Sequence, residues 1–140
     1  MRSLRDESGQ TLVLVALSMT FLLGCMALAI DIGLIFRSHR NTQIAADAAA
    51  IAAALDYKYN ASITSAQAAG QAAASANGVV NGTSGATVQI NVPPKYGAYA
   101  GDSGFVEAVV VDPSPTIFMG VFTKKSSLTV GARAVAGSGS

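Results

Sequence analysis

The sequence predicts an α+β protein in which a long N-terminal transmembrane and stalk helix leads to a short helix and a small, mainly antiparallel three-stranded sheet. Three observations carry this expectation. Residues 11–30 (TLVLVALSMTFLLGCMALAI) contain neither a charge nor a proline, and as a helix they would cross roughly 30 Å of hydrocarbon at about 1.5 Å per residue. An alanine-dominated stretch then continues to Leu55 with no proline to stop it. From Thr87 onward the pattern becomes that of strands, in three separate runs. The expected division is a polar N-terminal segment over 1–9, the helix over 10–57, and an α+β head over 58–140. With the first 40 or so residues of the 140 set aside, about 100 remain, enough for one small domain and hardly for two.

The first ten residues, MRSLRDESGQ, place Arg2 and Arg5 ahead of the apolar run, as a secretory signal would. A signal core is typically about 7–15 apolar residues followed by a small-residue cleavage site. This run is longer and passes into more helix, so it is expected to be retained. Arg2 and Arg5 are balanced by Asp6 and Glu7, whereas Arg37 and Arg40 lie just after the run. Taken alone, the positive-inside rule would put the C-terminal part in the cytoplasm.

From Gln10 to Tyr57 every residue is compatible with one continuous helix. Gly24 and Gly33 each cost roughly 1 kcal/mol against alanine in water, but within a membrane such glycines mark the close approach of a second helix. Ile44, Ala48, Ile51 and Leu55 form one apolar stripe, with Gln43, Asp47 and Lys58 in other directions. That stripe calls for a cover, either the rest of the C-terminal domain or another copy of the chain.

A polar break (YNASITS) precedes a helix expected over Ser65–Asn77, with Ser62 or Thr64 as its N-cap and Asn77-Gly78 as its stop. Val88, Ile90 and Val92 alternate with Thr87, Gln89 and Asn91, a half-buried strand ended by Pro93-Pro94. The following PKYGAYAGDSG reads as a mobile surface loop. Phe105–Val111 (FVEAVVV), apolar on both faces, is expected to be the central strand and to end in a DPSP turn. Thr116–Phe122 fits one helical turn, Leu128–Ala136 is the last strand, and the GSGS tail is expected to fray.

Nine basic and eight acidic residues give a net charge of +1, with no basic stripe, so the footprint of a nucleic-acid binder is missing. Cys25, in the middle of the apolar run, behaves as a small hydrophobe. His39 is the single histidine and has no cysteine partner, which leaves it a solvated residue and supports no metal cluster. Ser3, Ser8 and the other serines lack a catalytic context, and no phosphate-cradling glycine loop is present. Asp102 and Glu107 read as a solvated edge rather than an acid/base pair. Neither catalytic residues nor a cofactor is expected. Asn60-Ala61-Ser62 and Asn81-Gly82-Thr83 match glycosylation sequons by pattern and read as loop residues. Asp31 is the polar residue that stands out, because an ionisable group in an apolar span normally finds a partner or a polar boundary. It either marks the membrane surface or pairs with Arg37 or Arg40 of a neighbouring copy.

The opening ESGQTLVLVAL, the continuation LAIDIGLIFRSHRNTQIAADAAAIAAA, the later AAGQAAASANG and the terminal TVGARAVA together resemble the TadE/TadG-like family of tight-adherence (Flp) pilus-assembly proteins. The match is densest over Glu7 to Ala54. The resemblance implies a pilin-like chain whose helix sits in the inner membrane before assembly and whose head lies outside it, against the charge count. Pilin precursors of the wider superfamily are cut after a glycine with a glutamate five residues on; Gly9 is the candidate for that glycine, but the fifth residue after it is Leu14, so it departs from the processing pattern. The larger members' von Willebrand-like insertion cannot fit into 140 residues.

These features lead to a structural subunit that is held in the membrane, handed to the pilus secretion machinery and polymerised as a homo-oligomer into an extracellular filament. Leu12, Leu14, Leu17, Phe21, Leu22, Leu28 and Ile35 would be buried against identical helices, with Gly24, Ala27, Ala29 and Gly33 permitting close approach. The alternatives are a minor subunit that initiates or tips another pilin's fibre, and a permanently anchored envelope protein whose head binds a ligand.

Overall fold

The computed structural model describes residues 7–124 and 126–139. The basic segment with Arg2, Ser3 and Arg5, and the last residue of the tail, lie outside the described residues. The elements are α1 (Glu7–Asn60), α2 (Ile63–Ala76), β1 (Thr87–Asn91), β2 (Phe105–Pro115), α3 (Met119–Thr123) and β3 (Ser127–Gly137). The strands form one antiparallel sheet in the order β1-β2-β3, with β2 central. This is the α+β build expected, and α1 runs through Arg37–Asn41 without a loop.

At 54 residues, α1 is roughly 80 Å long. It ends where Ala61 takes a left-handed φ of 50°, and Ser62 then starts α2 as its N-cap, its Oγ accepting from the Ser65 N–H at 3.3 Å. The far end of α2 closes as a Schellman turn. Gly78, at φ 89°, lets the Val79 N–H reach Ala74 O and its own N–H reach Ser75 O, both at 3.0 Å. The hydrophobic residue such turns favour is Val79, which is buried.

Only the C-terminal half of α1 enters the head. It buries Thr42, Ala45, Ala46, Ala49, Ala50, Ala53 and Ala54 against α2 and the sheet, spaced three and four apart as one helix face requires. The sheet supplies Val88, Ile90, Val106, Ala108, Val110 and Ala132, and α2 supplies Ala66, Gly70 and Ala74. The expected stripe is therefore not the docking face. Ile44, Ile51 and Leu55 are 47%, 55% and 53% exposed. Shape decides this, because alanine side chains lose no rotamer freedom and let a helix lie close to a sheet, whereas branched residues on that face would hold it off. Gly70 shows how close the approach is. A Cβ there would stand 2.7 Å from Ile90 Cδ1 and 3.1 Å from Ala49 O.

Three further expectations are corrected. Asp112–Pro115 is not a turn but continues β2, paired with Val130–Ser127. Since β1 ends opposite Val111, one edge of β2 is vacant there and tolerates prolines, which lack the N–H. The 92–104 loop is tied down rather than mobile: Pro94 is buried, Gly101 N–H donates to Pro94 O at 2.9 Å, and Tyr99 stacks on Phe105 with ring centroids 4.0 Å apart. The tail is held too. Gly137 belongs to β3, and Ser138 donates to Gly104 O through its N–H at 2.8 Å and its hydroxyl at 3.0 Å.

Candidate functional site: the apolar helix and the Asp31 latch

Residues 9–30 of α1 project from the head, and the most apolar 18-residue window of the helix has none of its residues buried. Among the described residues, one helix is thus long and apolar enough to cross a membrane. Leu12, Leu14, Leu17, Phe21 and Leu22 are each more than half exposed, and Leu28 is 46% exposed. Beyond the helix's own backbone, no atom of the described residues lies within 4 Å of where a Cβ would stand at Gly24 or Gly33, so no second described helix closes on them. Ala29 is exposed, Ala27 half-buried, and Gly9 lies in open space near the start of α1.

Where the apolar run ends, Asp31 is fully buried. Neither arginine is among its hydrogen-bond partners. Instead its carboxylate accepts from three consecutive backbone N–H groups: Ile117 at 3.0 Å, Phe118 at 3.0 and 3.2 Å to the two oxygens, and Met119. These lie at the tip of the long β2–β3 hairpin, where α3 begins. The residue that precedes α3 is Phe118, which has no side-chain acceptor to offer its first turn, so a carboxylate from elsewhere serves. Asp31 thus latches the far end of the hairpin to α1 across 86 positions of chain. Arg37 and Arg40 are exposed, and Arg37 lines a shallow cleft with Asp112–Pro115. Ile35 shares a second cleft with Phe36, His39 and Thr129–Gly131.

On the outer face of the sheet lies the second buried carboxylate. Glu107 was expected at a solvated edge beside Asp102, yet its side chain is wholly buried in mid-strand. It accepts from Asn91 Nδ2 at 2.8 Å, from the Lys95 N–H at 2.9 Å and from Arg133 Nε, while another Arg133 nitrogen donates to Tyr96 O. Burial acts to raise its pKa, but the Lys95 N–H, Arg133 and Asn91 together outweigh it and hold the carboxyl below its ordinary value. Asp102 does separate work, accepting from the Gly104 N–H at 2.8 Å. Sequence reasoning missed both networks. The signals were a lone glutamate inside FVEAVVV, a lone arginine inside LTVGARAVA, and a helical turn with no cap of its own. Among the described residues, no three of the His, Cys, Asp and Glu side chains are placed to share a metal ion.

The architecture is one uncovered apolar helix continuing into a small α+β head. Residues 9–56 match the family model described as "Putative Flp pilus-assembly TadE/G-like", which supports a part in tight-adherence pilus assembly. The match spans the apolar run, Asp31, both arginines and the alanine face, and leaves the sheet outside it. No curated protein and no solved structure matches the chain.

Proposed function

We propose that this chain is a structural, non-catalytic subunit of a tight-adherence-type pilus, held in the inner membrane by α1 before assembly and then polymerised through that helix into an extracellular filament. One observation carries the proposal: α1 leaves nearly all of its apolar run uncovered while its C-terminal half is built into the head core as the same unbroken helix. Burying that surface against identical helices outside the lipid gains roughly 25 cal/mol per Å². The exposed Ile44–Ile51–Leu55 stripe extends the same uncovered surface along the head. Asp31 needs no partner from a neighbour, because its own hairpin satisfies it. Arg37 and Arg40 are then free to face other copies or the lipid headgroups.

The test is the composition of filaments sheared from cells, with N-terminal sequencing of the recovered chain. Filaments made mostly of this chain are expected, starting after Gly9 if that glycine is the processing point. Trace amounts at fibre ends would identify a minor subunit. A chain that stays in the membrane fraction while filaments form without it would be a permanent anchor, and the proposal would fail.

A further inference from the structure

The tip of the β2–β3 hairpin is apolar and turned outward. Ile117 is 59%, Phe118 37% and Val121 78% exposed. Its position is fixed by the latch: Asp31 immediately follows the uncharged run and binds the N–H groups of 117–119. Phe118 lines one side of an apolar groove of about 250 Å³ whose other side is Phe21, Gly24, Cys25, Ala27 and Leu28. All five belong to the uncharged run. The tip therefore stands beside the part of α1 that would be in the bilayer, not beyond it.

We propose that this tip is a second membrane contact, dipping into the boundary between headgroups and acyl chains next to α1, with Asp31 as the residue that allows it. The inference rests on the reading that α1 is held in a bilayer before assembly. Irregular backbone is excluded from hydrocarbon unless its polar groups are satisfied by protein. Here Asp31 takes the N–H groups of Ile117, Phe118 and Met119, Val121 donates to Phe118 O at 3.1 Å, and Lys124 donates to Gly120 O at 3.0 Å. Ile117 and Val121 turn apolar side chains outward, and exposed Lys124 follows, whose long stem can keep its ammonium at the phosphates. A helix alone can spin and tilt in a bilayer. A second contact on the same rigid head fixes its azimuth, and so fixes the direction in which the Ile44–Ile51–Leu55 stripe meets an incoming partner.

The full chain in a Cys25→Ala background would be labelled with an environment-sensitive fluorophore at Val121→Cys, Leu22→Cys or Gln89→Cys. Each would be reconstituted into phosphatidylethanolamine–phosphatidylglycerol vesicles carrying acyl-chain nitroxides. The Val121 label should shift to shorter wavelength and be quenched, less strongly than the Leu22 label near the middle of the run, while the Gln89 label on the outer sheet face does neither. Adding Asp31→Asn should return the Val121 label to the Gln89 level and leave Leu22 quenched. Quenching at Leu22 with Val121 behaving like Gln89 overturns the tip contact alone. A shifted but unquenched Val121 label places a second copy of the chain there instead of lipid. An unquenched Leu22 label removes the anchoring reading and this proposal with it. Val121 quenching that survives Asp31→Asn removes the aspartate from the device.

Discussion

Glu107 and Arg133 meet diagonally on the outer face of the sheet, Glu107 standing opposite Val135 and Arg133 opposite Val109 in the β2–β3 register. The pair is asymmetric, since the glutamate side chain is fully enclosed and the arginine is 38% exposed. The arginine also donates to Tyr96 O, so one guanidinium fastens both the buried charge and the loop that covers it. Arg133→Ala should cost about 1–3 kcal/mol, less than the roughly 3–5 kcal/mol of breaking a fully buried pair because the arginine is partly solvated. Adding Glu107→Gln should restore part of that loss, so the double variant is less destabilised than the sum of the singles in denaturant unfolding of the detergent-solubilised chain. Strict additivity would show that the two side chains do not interact.

The same carboxylate gives the head a pH dependence of definite sign. Its folded pKa lies below the ordinary value near 4.5, so its contribution is complete above that value. It is lost as pH falls through 4.5 and below the depressed folded pKa, where both states bind the proton. Melting temperatures followed downward from neutral pH should fall across this acid window, and less steeply in Arg133→Ala. Equal slopes in the two proteins would assign the acid sensitivity to other carboxylates.

Asp31→Asn replaces one accepting oxygen by an amide that itself donates, facing a row of N–H groups. Faster hydrogen exchange is expected at the amides of 117–119, with the amides of β1 unchanged. Unaltered protection at the tip would show that the hairpin holds itself without the latch.

Gly70→Ala tests the close approach of α2 to the core. The new methyl would overlap Ile90 and press on the Ala49 carbonyl, for about 1–3 kcal/mol of overpacking. Ile90→Ala should relieve part of it. A wild-type melting point for Gly70→Ala alone would mean that the helices slide apart at no cost.

Gly33→Leu and Ala29→Leu separate folding from assembly. Among the described residues nothing outside α1 stands within 4 Å of a Cβ at Gly33 and Ala29 is exposed, so both variants should insert and fold normally yet form few filaments. Normal filament yields from both would remove these residues from the packing surface.

Elements that announce themselves by period were legible in the sequence: the continuous α1, the Ser62 cap, the stop at Gly78 and the central position of FVEAVVV all follow from local chemistry. The docking face was not. In AADAAAIAAA nearly every position is alanine, so residue size pointed to Ile44 and Ile51, while the geometry of close contact chose the smooth side. The Asp31 latch was half legible. An aspartate at the end of an apolar run demands a partner, but one drawn from 86 positions away by backbone amides leaves no mark in residue type. Glu107 was misread for a related reason, because its burial depends on how the 92–104 loop folds back over the sheet.

The hairpin and α1 lie side by side as two rulers with different graduations. Ile35 shares a cleft with Thr129, and Asp47 shares another with Ala134. The twelve helical steps between the first and third of these rise about 18 Å, and the five strand steps between the others about 17 Å. A single residue inserted into α1 between Arg40 and Ala45 would swing Asp31 by roughly 100° and shift it about 1.5 Å relative to the hairpin tip. A deletion of four there, about 6 Å with a net turn of only about 40°, comes nearest to being matched by removing two residues from each arm of the hairpin, about 6.6 Å. Chains of this build can therefore change length only in matched increments, with the ribbon and the rod shortened together.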